Sequence, residues 1–402
     1  MSDNVHIAVT GIGIVSPIGV GRAAFWQALR EGRSGITPVE GLARRSGFPR
    51  IAATVGEFGA RDLINSAHYR RMDRLSRMAV AASRLAVDDA RLAVDQVAGE
   101  RVGVVFGTAL GNCEESVAHI ERVLTRGPAA ASPMVFPNLV MNAPAGYIAM
   151  EFGCTGLNLT VAQGEVTGEH TIALGCDVLD SGRADLVLAG AGDEITPVVV
   201  EAYHRTRALA GQRGGREWSS PYDVHRSGLV LGEGAAMLVL EPLERARARA
   251  AAVYAIVDGT GSFAVPSPRY DWPLRADAAQ APLRGLAAGA ELICGSANSS
   301  RRLDRCELDL FADLLPAGSA HLTSIKGAIG EFGAAGALTA AAACLALGEQ
   351  AVPPLCHLHT PEPDAPLRLA PGRAVPAKLT HAIVCGVARG GATVALSLRA
   401  HR

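Results

Sequence analysis

The sequence predicts a duplicated α/β protein, two layered halves in succession packed as a five-layered α-β-α-β-α body. Three observations predict it. Hydrophobic residues make up 49% of the 402 residues and charged ones only 19%, so the chain can bury a large core and carries little material for disorder. Apolar strand-like runs alternate with helix-like ones, the pattern of sheets covered by helices. Three pairs of segments also recur in the same order along the two parts of the chain.

The first pair is residues 6–13 (HIAVTGIG) and 254–261 (YAIVDGTG), each a β-branched run expected to end in a Gly-x-Gly turn. The second is Gly164-Glu165 and Gly330-Glu331. Each opens a helical apolar pattern, through Ile172, Ala173 and Leu174 in one case and Ala334, Ala335, Leu338 and Ala342 in the other. The third is residues 184–192 and 381–390, each a buried strand running into glycines. The halves are expected to meet at a charged, Ala-rich helix end near residues 245–252, giving units 1–248 and 249–402. Residues 74–94 read as one long amphipathic helix, with Met78, Ala82, Leu85 and Leu92 on one face. Residues 101–106 read as a buried strand, and 143–150 as a helix entered through Pro144 and closed by Gly153. Residues 264–292 carry less pattern and suggest a surface loop followed by a helix.

A formal net charge of -1 offers no electrostatic case for nucleic acid or a membrane surface as partner. The opening residues lack the basic start and apolar run of a secretory leader. The apolar stretch at 334–347 is too short and glycine-interrupted to span a bilayer. The 8 cysteines are scattered, form no CxxC pair and often sit in apolar runs. A reducing cytoplasm with neither disulfides nor zinc is therefore expected. Cys356, His357 and His359 look like metal ligands on paper. No further ligand lies nearby, so alternation in a short Pro-flanked strand is the expected reading.

Three motifs carry a resemblance that runs nearly end to end: VTGIGIVSPIG at 9–19, PYDVHRSGLVLGEGAAMLVLE at 221–241, and KGAIGEFGAAG at 326–336. Together they resemble the β-ketoacyl-carrier-protein synthases of fatty-acid and polyketide synthesis. The resemblance implies the duplicated thiolase-like fold. It also implies three chemical side chains. A cysteine at a helix N-terminus accepts the acyl chain, and two histidines stabilise the enolate and oxyanion of condensation.

None of the three is present. By family spacing the nucleophile lies three residues before Gly168, where this chain has Glu165. A carboxylate is a poor thioester-exchange nucleophile, and Cys176 is more than two helical turns too far along. The first histidine position holds Ser296, although Asp304 and Glu307 keep the family's acidic spacing, and the two pantetheine-contacting threonine positions hold Asn298 and Ser300. The second histidine position holds Glu331, after Lys326 and Gly330, in a loop one residue shorter than usual. The gating phenylalanine position holds Arg389. Two acids at facing helix starts with two cations close by suggest a buried ionic plug of Glu165 and Glu331 against Lys326 and Arg389. His170 reads as a helix-face histidine rather than a base. Arg301-Arg302 reads equally as a contact for an acidic carrier protein or as a solvated pair.

The resemblance therefore points to a chain-length-factor-like subunit of a type II polyketide system. Such a subunit pairs as a heterodimer with an active, cysteine-containing ketosynthase. The acyl chain arrives on the phosphopantetheine of acyl carrier protein, with no other cofactor, and extends into a tunnel at the subunit interface. By family position the tunnel lining would be Asn112, Cys113, Ser116, Met134, Phe136, Leu139 and Met141, with Phe136 closing it; plain interface packing is the alternative. Chain-length factors of aromatic systems usually carry glutamine at the nucleophile position and an arginine-containing loop at the second histidine. Glu165 and the short Glu331 loop shift the expectation to a polyene-type system. Two alternatives stand beside it: a malonyl-carrier-protein decarboxylase that primes synthesis, and a homodimeric acyl-binding protein.

Overall fold

The structure is a computed structural model and describes residues 6–39, 50–65, 69–92, 97–268, 270–273 and 277–401. Residues 1–5, read as lacking a leader, and residues 93–94, read as helical, lie outside them. Five strands build the sheet of the first half: β1 (Ile7–Ser16), β2 (Val102–Gly107), β3 (Asn158–Val161), β4 (Leu186–Asp193) and β5 (Gly234–Pro242). Five more build the second: β6 (Ala255–Ala264), β7 (Leu292–Cys294), β8 (His321–Thr323), β9 (His381–Val387) and β10 (Ala392–Arg399). The order is β1-β5-β4-β2-β3 in one and β6-β10-β9-β7-β8 in the other. In both, the first three strands pair antiparallel and the last three parallel. The same order with the same directions makes the duplication structural as well as textual. Three residue pairs between Ile7–Val9 and Ala255–Val257 stitch the two sheets into one, which the short strands Gly19–Val20 beside β1 and Arg368–Leu369 beside β8 bring to 12 strands.

The helices fill the layers. Outside the first sheet pack α1 (Arg74–Asp89) and α3 (Ala143–Phe152), which touch each other; α2 (Cys113–Arg126) comes between them in the chain. Between the sheets lie α4 (Thr167–Asp180) and α8 (Ala335–Glu349), which touch each other and strands of both halves. After β4 comes α5 (Pro197–Arg205); outside the second sheet pack α6 (Asp277–Ala287) and α7 (Arg301–Leu314). This is the five-layered arrangement. The centre is poor in large side chains: α8 is Ala-rich and buried from Ala335 through Leu347. A helix apolar on every face is a core helix. Among the described residues no helix is long and apolar enough to cross a membrane.

Two details correct the sequence reading. Gly11 and Gly13 do not make a turn; β1 continues through them, with a register shift against β5 between Val9 and Gly11. A Cβ at Gly11 would lie 2.3 Å from the Ala86 carbonyl oxygen, and one at Gly13 1.9 Å from that of Ala82. The glycines let α1 lie directly on the strand. Gly259 and Gly261 likewise sit inside β6, where a Cβ would meet the Leu286 side chain of α6 at 2.8 and 3.0 Å. The second correction concerns α1, which ends at Asp89 instead of running to residue 94. Arg91 adopts a left-handed φ of 50°, and the Leu92 N–H returns to the Val87 carbonyl at 3.1 Å. That is a helix-stopping turn made without glycine, so the sequence carried no signal for it.

Candidate functional site

The facing helix starts converge as the duplication requires. Glu165 lies in the short turn Gly164–Val166 that leads into α4. Glu331 lies four residues ahead of α8. Both are buried, at 8% and 1% exposure. Gly168 is the point of closest approach between the two central helices: a Cβ there would lie 2.2 Å from the Ala337 nitrogen. The glycine that located Glu165 in the sequence is thus required by a helix crossing.

Each acid has its own cation. The Arg389 guanidinium donates to Glu165 Oε1, and the Arg389 backbone N–H donates to Glu165 Oε2 at 3.2 Å. Lys326 Nζ donates to Glu331 Oε2 at 2.9 Å and to Oε1 at 3.1 Å, and Asn298 Nδ2 adds a third bond to Oε2 at 2.6 Å. The Lys326–Glu331 pair is almost wholly out of water, at 3% and 0% side-chain exposure. Burial pushes the Glu331 carboxyl up, helped by the charge of Glu165 and opposed by Lys326. Burial works against the charge on Lys326, but Glu331 outweighs it and holds that ammonium above its ordinary value. Arg389 follows the same logic, with Glu165 and Tyr203 overcoming desolvation.

Ser296 stands beside this centre with its hydroxyl accepting the Val387 N–H at 3.1 Å. Its loop is held from below by two buried acids. Glu307 accepts the N–H groups of Ser296 and Ala297 at 2.6 and 2.7 Å and the Tyr222 hydroxyl at 2.8 Å. Asp304 accepts the Tyr222 and Asn298 N–H groups at 2.9 and 3.1 Å. Burial raises Glu307 to about 7 and Asp304 to about 6. The loop at Ser296 is thus held by a complete buried scaffold, and the side chain it presents is a hydroxyl.

Three groups in the site were not singled out by the sequence reading. Arg389 lies 4.5 Å from the Trp272 ring centroid and 5.2 Å from that of Tyr203. Glu169, one helical turn past Glu165, is 3% exposed and its Oε2 has no hydrogen-bond partner among the described residues. Its side chain occupies the space left by two glycines: a Cβ on Gly336 would lie 1.9 Å from Glu169 Oε2, and one on Gly386 2.6 Å from Oε1. Burial raises this carboxyl to about 7. A run of acid, glycine and small residues at these three positions is the only sequence trace such a nest leaves.

The remaining candidates fall elsewhere. His170 Nδ1 meets Gln163 Oε1, on the partly exposed side of α4. Arg302 pairs with Asp271, and Arg301 Nε donates to the Arg226 carbonyl at 3.2 Å. Residues 356–359 form a turn, not a strand. His357 sits at φ 60° against Trp218, with ring centroids 4.6 Å apart. A strand cannot take that backbone angle. Among the described residues no cluster of three or more His, Cys, Asp or Glu could hold a metal.

The tunnel candidates form a second region. Asn112 caps α2, accepting the Glu115 N–H at 3.1 Å, and Cys113 donates its thiol to the Leu110 carbonyl at 3.1 Å. Cys113 and Tyr203 border one small apolar cluster around Val199, Val200, Leu209, Leu229 and Leu231. Ser116 and Leu139 are half-buried. Met134, Phe136 and Met141 instead stand exposed, at 61%, 63% and 36%. Ile120 and Leu124 on α2, Val140, and Met150 on α3 are exposed too, up to 79% at Leu124. Large apolar side chains concentrated on neighbouring elements of one surface are the mark of an interaction face.

Comparison with known proteins agrees with this layout. Residues 4–246 match the family model for the beta-ketoacyl synthase N-terminal domain, and residues 287–359 the model for its C-terminal domain. The chain is 32% identical to a putative polyketide beta-ketoacyl synthase 1 of Streptomyces cyaneus, over 96% of both chains. It is 28% identical to a 3-oxoacyl-[acyl-carrier-protein] synthase 2 of Staphylococcus aureus, over 97% of both. Among solved structures it is similar to the ishigamide ketosynthase/chain length factor, with a TM-score of 0.90 and 28% identity over 99% of this chain and 100% of that one. A type II PKS acyl-carrier protein in complex with its ketosynthase, at 24% identity, shares the fold with a TM-score of 0.90.

Proposed function

Because the chain belongs to the beta-ketoacyl synthase family, we propose that it is a partner subunit that forms no carbon–carbon bond itself and shapes the acyl tunnel of an active ketosynthase. The observation that carries this is the state of the three chemical positions. Glu165 and Glu331 are each closed in an ion pair, and Ser296 offers a hydroxyl where proton transfer and oxyanion support would be needed. Acyl exchange needs a thiolate or an activated nucleophile. A carboxylate held by a guanidinium is neither.

The decarboxylase reading requires free donors to receive an enolate. Lys326 directs two of its N–H donors and Asn298 one to Glu331, which counts against that reading. The exposed face of Met134, Phe136 and Met141 supports a heterodimeric arrangement, in which the partner covers it and Asn112, Cys113, Ser116 and Leu139 lie just behind. Similarity to a ketosynthase/chain length factor supports the same role. Glu165 and the short loop at Glu331 favour a type II polyketide system of polyene type, with the acyl chain borne by acyl carrier protein. The matched strand order supports a division at 248/249. Co-expression with a cysteine-containing ketosynthase encoded alongside is the test. A one-to-one complex is expected. A homodimer that persists in the presence of that ketosynthase would favour the acyl-binding alternative and contradict the proposal.

A further inference from the structure

The Glu165–Arg389 pair does more than neutralise two charges. Arg389 lies between the rings of Trp272 and Tyr203, and Trp272 is brought there by the chain between β6 and α6. That connection is fastened to the loop carrying Arg389 at several points. The Val265 N–H donates to the Gly391 carbonyl at 2.8 Å, and the Gly390 N–H donates to the Asp271 carbonyl at 3.2 Å. Asp271 accepts the Trp272 N–H at 2.8 Å and pairs with Arg302 of α7. The backbones touch: Gly391 is at φ 90°, and a Cβ there would lie 1.8 Å from the Val265 oxygen. Trp272 itself is 3% exposed, and Ser296, whose hydroxyl accepts the Val387 N–H two residues before Arg389, and Lys326 and Glu331 are each at or below 2%.

We infer that Trp272, Arg389 and Glu165 form a latch that closes the pocket of this chain to a carrier-borne acyl group, with Glu165 as its keeper. The inference rests on the reading that the pocket performs no condensation. A guanidinium stacked on two rings favours the site by cation–π attraction, but its charge must be balanced once water is excluded. A carboxylate does this with two acceptor oxygens, one for the guanidinium and one for the backbone N–H of the same residue. An amide at position 165 offers a single acceptor and no charge. The acid thus fits closure of the pocket better than any chemistry within it. Glu165 is a positioning residue: it holds Arg389, and Arg389 holds Trp272.

Acrylamide quenching of Trp272 fluorescence tests this on the full chain, in a Trp218→Phe background that removes the exposed tryptophan and leaves the buried Trp26 as internal reference. Glu165→Gln is expected to raise the quenching constant of Trp272 severalfold and to speed hydrogen exchange at residues 270–273 and 388–391. Exchange in α4 and α8 should stay slow, and Glu165→Asp should restore protection in part. Arg389→Ala should reproduce the Glu165→Gln result. Unchanged quenching and exchange in both Glu165→Gln and Arg389→Ala would overturn the latch. The measurement uses neither ketosynthase nor carrier protein, so the partner proposal can stand or fall separately.

Discussion

At the scale of single residues, the site is a set of buried charges whose removal has calculable consequences. Lys326→Met leaves Glu331 buried without its cation and should cost about 3–5 kcal/mol. The double variant Lys326→Met/Glu331→Leu should recover most of that loss, because an apolar pair of similar volume replaces an ion pair at little net cost. Urea unfolding of the two variants checks the difference; equal losses would mean that the pair does not act as a unit. Arg389→Ala should likewise lower the melting temperature, since it strands Glu165. Glu169 makes a prediction about pH. Its folded carboxyl sits near 7, raised by burial from 4.5, so its contribution to stability is full below about 4.5 and is lost as pH rises through about 7. Asp304 and Glu307 are raised in the same way and add to the same trend. Glu169→Gln should flatten this slope and stabilise the chain above pH 7 by at most roughly 3 kcal/mol. A melting temperature at pH 8 below that of the parent would contradict it.

Residue positions were also where the sequence was most legible. Glu165 was located from Gly168, and Gly168 is fixed by the crossing of α4 with α8. Lys326, Glu331 and Arg389 were located in the same way, from glycines and a lysine whose spacing the fold constrains. Trp272 and Tyr203 were not foreseen. Trp272 lies in a connection without periodicity, and nothing in a one-dimensional pattern says that a loop residue will stack on an arginine 117 positions away.

At the scale of elements, helix-to-strand and helix-to-helix contacts rest on glycines that admit no side chain. Gly168→Ala would push a methyl group to 2.2 Å from the Ala337 nitrogen, against backbone that cannot yield locally. A loss of about 1–3 kcal/mol is expected from such overpacking, readable by thermal or urea unfolding. A variant as stable as the parent would mean the two central helices can separate without penalty. The elements missed in the sequence share one cause. The end of α1 at Asp89 and the turn at His357 both depend on non-glycine residues at positive φ, Arg91 and His357, which composition does not announce. The Gly-x-Gly pairs were read as turns because glycine serves both purposes, and only the packing of α1 and α6 decides between them.

At the scale of the whole molecule, the duplication explains why two acids face each other. Equivalent helix starts, one from each half, meet at the pseudo-symmetric centre, and the order of strands in both halves agrees. That much was visible in three weak sequence repeats. The outer face was visible only in part. Met134, Phe136 and Met141 were named as tunnel lining, yet the exposed side chains extend over α2 and α3 to Ile120, Leu124 and Met150. A single chain's sequence does not separate an apolar residue meant for the core from one meant for a partner. Phe136→Asp or Leu124→Glu should therefore abolish association with the ketosynthase while leaving the stability of the isolated chain within about 0.5 kcal/mol of the parent, as surface changes do. Size-exclusion chromatography and a melting curve on each variant check both halves of the statement.

The most direct measurement supplies the purified chain with acyl- and malonyl-loaded carrier protein, first alone and then with a cysteine-containing ketosynthase, and follows the product by mass spectrometry. Elongated acyl carrier protein should form only in the second case. Uptake of the acyl group and its extension by the solitary chain would contradict the account at its root.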